Sequence, residues 1–139
     1  MIYTPQLLPF LLILGLATSG CVAHNPQNNT MTQTSAPGMA HTVYFWLHDG
    51  LTDAELKSFE QGMKSLQEAP SVLRAFVGKP ATTPSRDVVD NSFDYSLVLW
   101  FDDVAAHDAY QISPTHLKFV EDHEAKFDVV KVFDNFLIK

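Results

Sequence analysis

The chain has 139 residues, 46% of them hydrophobic and 18% charged, with a formal net charge of −7. Length and composition fit one folded domain and not a disordered polymer. Every charged side chain lies at or after Asp49 and acids predominate, which argues against a basic surface that tracks nucleic acid, and a single cysteine leaves no partner for an internal disulfide.

The chain opens with MIYTPQLLPFLLILGLATSGC. Its apolar run, Leu7 to Leu16, is about 10 residues long, the length of a signal-peptide core and too short to cross a bilayer as a helix. Thr18, Ser19 and Gly20 then precede Cys21, which resembles a bacterial lipobox. On that reading residues 1–21 are a leader and Cys21 is lipidated, holding the protein on a membrane of the bacterial cell envelope, facing the periplasm. The leader has no Lys or Arg before its core, and Thr18 stands where a lipobox usually has Leu. A plain secretory signal, giving a periplasmic or secreted protein, is therefore the alternative. Residues 22–38 are uncharged and rich in Asn, Gln, Thr, Ser and Pro. They cannot bury enough apolar surface to fold, so a flexible tether is expected.

A domain is expected over 39–139. HTVYFWLH, from His41, is β-branched and aromatic and predicts a first strand. Thr52 followed by Glu55 is a capping box, and Leu56, Phe59, Met63 and Leu66 repeat at helical spacing until Pro70. SVLRAFVGK predicts a second strand and FDYSLVLWF a third. An Asp cap then opens a short helix, and Ser113–Pro114 restarts another, with Leu117, Val120, Glu124 and Phe127 at roughly helical spacing. DVVKVFDNFLIK closes as a fourth strand. The order β-α-β-β-α-β predicts a ferredoxin-like α+β fold, a four-stranded antiparallel sheet with helices on one face. The strands are apolar on both sides, so the uncovered face is expected to meet a second copy in a homodimer.

MAHTVYFWL, DYSLVLWFDDVAAHDAYQISPTHLKFV and VVKVFDNF resemble the stress-responsive A/B barrel (Dabb) domain. The resemblance implies a dimeric α/β barrel. The family includes plant stress proteins and a plant polyketide cyclase that makes olivetolic acid. In that cyclase a Tyr–His pair carries the acid–base work, and Tyr110 and His116 match it. The cyclase's strand-one histidine matches His41, while a further pocket histidine of its third strand matches Tyr95.

Other constellations are weaker. His107, His116 and His123, among Asp108, Glu121, Asp122 and Glu124, lack metal-ligand spacing and are expected on a solvated acidic helix face, with no metal. No glycine-rich phosphate loop, CxxC or GxSxG occurs, and no cofactor is expected. Val43, Phe45, Leu97, Leu99, Trp100, Phe133 and Phe136 are candidates to line an apolar cavity or to fill a dimer core. The expected pocket set is His41, Val43, Phe45, Tyr95 and Leu97. Two functions follow. One is an envelope stress-response module, a homodimer that binds a small apolar ligand. The other is a cofactor-free cyclase or lyase using His116 as base and Tyr110 as its partner, with a cofactor-free monooxygenase as a remote third.

Overall fold

A computed structural model describes residues 37–138. The leader, Cys21 and residues 22–36 of the tether lie outside them. The elements are β1 (Met39–Leu47), α1 (Asp53–Ser65), β2 (Arg74–Gly78), β3 (Tyr95–Phe101), α2 (Val104–Gln111), α3 (Pro114–His123) and β4 (Phe127–Phe136), with single 3-10 turns after α1 and α3. The sheet order is β2-β3-β1-β4, and every neighbouring pair is antiparallel. This is the ferredoxin-like α+β fold expected from the element order. The sheet begins slightly earlier than expected, because Gly38 donates to the Phe101 carbonyl and accepts from the Leu137 amide, each at 3.0 Å.

Local chemistry starts and stops the helices. Thr52 caps α1: its hydroxyl accepts from the Glu55 amide, and the Glu55 carboxylate accepts from the Thr52 amide at 2.8 Å. Asp103 caps α2 by accepting from the Ala106 amide at 2.9 Å. α2 ends at Gln111, and Ser113 caps α3 by accepting from the His116 amide at 3.2 Å, with Pro114 in the first turn, where its missing N–H costs nothing. The break holds Tyr110 at the end of α2 one short turn from His116 at the start of α3.

One face of the sheet is covered. Met39, His41, Val43 and Phe45 of β1 alternate inward beside Phe101, Leu99, Leu97 and Tyr95 of β3, their direct partners in the ladder. Phe59 and Met63 of α1, with Leu66 of the turn after it, close over them and are essentially inaccessible. Burial of each such side chain contributes about 1.5–3 kcal/mol. Phe45 touches Phe59, Phe119 and Phe127 in an aromatic cluster.

Two expectations are corrected. The helical spacing from Leu117 to Phe127 does not run through one helix, because α3 ends at His123 and Phe127 opens β4; the residues α3 buries are Phe119 and His123, whereas Leu117 is 56% exposed. α3 turns its Phe119 edge to α1 because Gly62 makes room there: a Cβ at Gly62 would collide with His123 Nε2. The proposed apolar lining also divides between two faces. Val43, Phe45, Leu97 and Leu99 are buried under the helices, whereas Trp100 and Phe133 point to the opposite face with Tyr44, Trp46 and Phe76.

Candidate functional site

His41, His107, Tyr110, His116 and Asp134 come together under the α2–α3 break. Asp134 arrives by register: it lies directly opposite His41 in the β1–β4 ladder, and its Oδ1 accepts from His41 Nδ1 at 2.7 Å. The His41 ring is 5.0 Å from that of His107 and 6.1 Å from that of Tyr110. Tyr110 and His116 have ring centroids 4.7 Å apart. Tyr110 is 1% exposed and packs on Phe101.

Hydrogen bonding fixes the imidazole tautomers. Carboxylate and carbonyl oxygens only accept, so His41 donates Nδ1–H to Asp134, and His116 donates Nδ1–H to the Gln111 carbonyl at 2.9 Å. The Gln111 amide donates to His107 Nε2 at 2.9 Å, and His107 Nδ1–H faces Asp108 Oδ1 at 3.2 Å. In their neutral forms all three rings therefore carry the Nε2 lone pair. Burial lowers the pKa of His41 despite the opposing pull of Asp134. Burial also drives the Tyr110 phenol well above its ordinary range, so it stays a protonated donor. Neutral imidazole lone pairs beside a neutral phenol can take a proton from one substrate atom and give a hydrogen bond to another.

The sequence-expected residues do not all meet here. His41, Tyr110 and His116 do. Phe45 is four residues from His41 on β1, about 13 Å along the strand, and Tyr95 is its ladder partner. Tyr95 therefore sits at the other end of the sheet, where its hydroxyl donates to Glu60 at 2.9 Å and Lys79 reaches the same carboxylate at 2.7 Å. A cavity of about 370 Å³ opens there between Leu56, Lys79, Asp94 and Tyr95. Val43 and Leu97 are packed in the core.

The solvated-face expectation for the three histidines fails. His123 is 3% exposed, its Nδ1 accepting from Lys126 Nζ at 2.9 Å, and the His107 side chain is only 13% exposed. Sequence reading missed Asp134 and the inward turn of His107. β4 also carries Asp128 and Lys131, so nothing local to the strand singled out Asp134.

The Stress responsive A/B Barrel Domain family model matches residues 39–136. No curated protein matches the chain. Among solved structures, a hydroxynitrile lyase from Passiflora edulis is similar with a TM-score of 0.63 and 18% identity, over 75% of this chain and 97% of that one. A Dabb family protein with a ferredoxin-like fold from Mesorhizobium loti has a TM-score of 0.59 and 23% identity, over 75% and 100% of the two chains. A dimeric ferredoxin-like protein from Thermobifida fusca has a TM-score of 0.60 and 18% identity, over 73% and 92%.

Proposed function

Given that this chain belongs to the stress-responsive A/B barrel domain family, we propose that it is a homodimeric acid–base enzyme of the lyase or cyclase type acting on a small carbonyl-derived substrate. The observation that carries this reading is the Tyr110–His116 pair, with ring centroids 4.7 Å apart and the His116 Nδ1 proton committed to Gln111. His116 Nε2 is left to act as the base. Tyr110, kept protonated by burial, donates to the substrate oxygen, and the His41 ring beside it, oriented by Asp134, completes the polar wall.

The likeness to a hydroxynitrile lyase suggests a concrete probe. On a hydroxynitrile, His116 removes the hydroxyl proton, the carbon–cyanide bond breaks as the carbonyl forms, and cyanide leaves to take up a proton. Mandelonitrile cleavage, followed by benzaldehyde release, tests the chemistry. Turnover that is lost in His116→Ala and sharply reduced in Tyr110→Phe supports it. Turnover unchanged in both variants refutes it.

A second reading is a binding module for a small apolar ligand in the cell envelope. It is favoured by a cavity of about 240 Å³ on the uncovered sheet face, walled by Tyr44, Trp46, Phe93 and Phe133. Thermal shifts with flat aromatic compounds, lost in Trp46→Ala, test it. In either reading Cys21 anchors the protein to the envelope membrane through lipid. The support is the sequence of the leader alone, and intact mass of the membrane fraction with Cys21→Ser as control tests it.

A further inference from the structure

We propose that His41, His107 and Asp134 form a binding site for a divalent transition-metal ion of the zinc class. One donor atom from each lies within 4.8 Å of the other two. Two imidazoles and a carboxylate are a donor set suited to Zn²⁺, Co²⁺ or Fe²⁺ and unsuited to Ca²⁺ or Mg²⁺, which prefer all-oxygen shells. The three come from different elements, β1, α2 and β4, so the fold and not a local motif assembles them.

The arrangement has further features of a ligand set. Asp108 faces His107 Nδ1 at 3.2 Å, the carboxylate–histidine arrangement that leaves Nε2 as the ligand atom. The His41 ring lies against Asp134, His107 and Tyr110, so imidazole lone pairs and a carboxylate share one corner of the fold. The Asp134 side chain is 46% exposed on edge strand β4 and offers an entry path, while the His41 side chain is 7% exposed. Ligand atoms around tetrahedral zinc stand roughly 3.3 Å apart. Binding therefore asks the donors to draw together, Gln111 to release His107 Nε2, and the His41–Asp134 hydrogen bond to open. Tyr110 and His116 are the next side chains, which places a bound ion beside the acid–base pair.

The inference does not rest on the acid–base reading, because its readout is metal binding and not turnover. The full chain, stripped with chelator, is titrated with Co²⁺ alone and then with Zn²⁺ against a chromophoric chelator. The expected result is saturation at one ion per chain, with visible bands of a four- or five-coordinate Co²⁺ site. His107→Ala and Asp134→Asn should each weaken binding at least tenfold, with far-UV circular dichroism unchanged. His48→Ala, which removes an exposed histidine near Asp128, should leave binding as it was. Asp134→Asn alters an exposed side chain and keeps the test decisive if His107→Ala fails to fold. No saturable binding below millimolar Co²⁺, or binding that both site variants leave intact, overturns the proposal.

Discussion

His116 donates its Nδ1 proton to the backbone carbonyl of Gln111, 2.9 Å away across the break between two helices. The bond ties the last turn of α2 to the first turn of α3 and settles which nitrogen of His116 is free. It gives one side chain a structural duty and a chemical one, and substitutions can separate them.

In His116→Asn the amide nitrogen can still donate to Gln111, but no basic nitrogen remains. In His116→Ala both are gone. We expect Asn to hold stability within about 0.5 kcal/mol of the parent, and Ala to lose about 1 kcal/mol, the worth of one net hydrogen bond. Both variants should lose about 10²–10⁴-fold in turnover, the usual contribution of a positioned base. Urea denaturation and a mandelonitrile assay on the same preparations check this. An Asn variant that keeps turnover would remove His116 from the chemistry.

The helix break and its Tyr–His pair were readable because they are local. Ser113, Pro114 and the capping box at Thr52 and Glu55 act over three or four residues, and their geometry follows from residue type. Asp134 was not readable. It is 93 positions from His41, and only the β1–β4 register brings them face to face. His107 was misread because α2 has only eight residues, too few for its polar and apolar positions to define a face. His123 was misread because histidine counts as polar in any pattern, whereas here the space left by Gly62 and a bond from Lys126 make it a core residue.

Stability should fall on mild acidification. His41 and His123 both have pKa values lowered from about 6.5 chiefly by burial, with Lys126 also acting on His123. Between those folded values and 6.5 the unfolded chain binds more protons than the folded one, so stability rises with pH across that window. It is fully present above 6.5 and lost as pH falls through the lowered values. The carboxylates lowered by hydrogen bonds, Glu55, Glu60, Asp90 and Asp122, titrate below their usual 3.8–4.5 and leave the histidine window clear. Urea midpoints between about pH 5 and 8 should be flat at the alkaline end and decline below 6.5. His123→Gln should shallow the decline. A flat profile across the whole range would show that neither histidine is held neutral by the fold.

Gly62→Ala should destabilise, against the usual rule. In an open helix the change gains about 1 kcal/mol from lower backbone entropy cost. Here the new Cβ would run into His123 Nε2 and press on Phe119 Cδ2 at 3.1 Å. The expected cost is about 1–3 kcal/mol, that of overpacking a filled contact. In a His123→Ala background only the tight approach to Phe119 remains, and Gly62→Ala should cost clearly less than in the parent. A double-mutant cycle by urea denaturation measures the coupling directly, and additive effects would show that α3 seats on α1 by other contacts.

The uncovered face of the sheet is the expected seat of a second copy. Phe76 and Phe133 are 55% and 52% exposed there, with Tyr44, Trp46, Val98 and Trp100 half-buried between them. Their strands are paired edge to edge, so these side chains form a continuous apolar patch, and such patches on soluble proteins mark interaction sites. A two-fold arrangement would set each patch against its twin. Phe133 stands next to Tyr44, with rings 6.1 Å apart, and a charge placed there would be buried, unpaired, in a seam formed through this face. Phe133→Asp and Phe76→Asp should therefore each shift the mass in light scattering from dimer to monomer. The thermal midpoint of the parent should also fall on dilution, as mass action requires of a dimer whose subunits support one another. If Phe133→Asp and Phe76→Asp both keep the dimer mass, the copies do not meet through this face. The remaining candidate would then be edge strand β4, whose Val130 and Val132 are exposed on the helix side of the sheet.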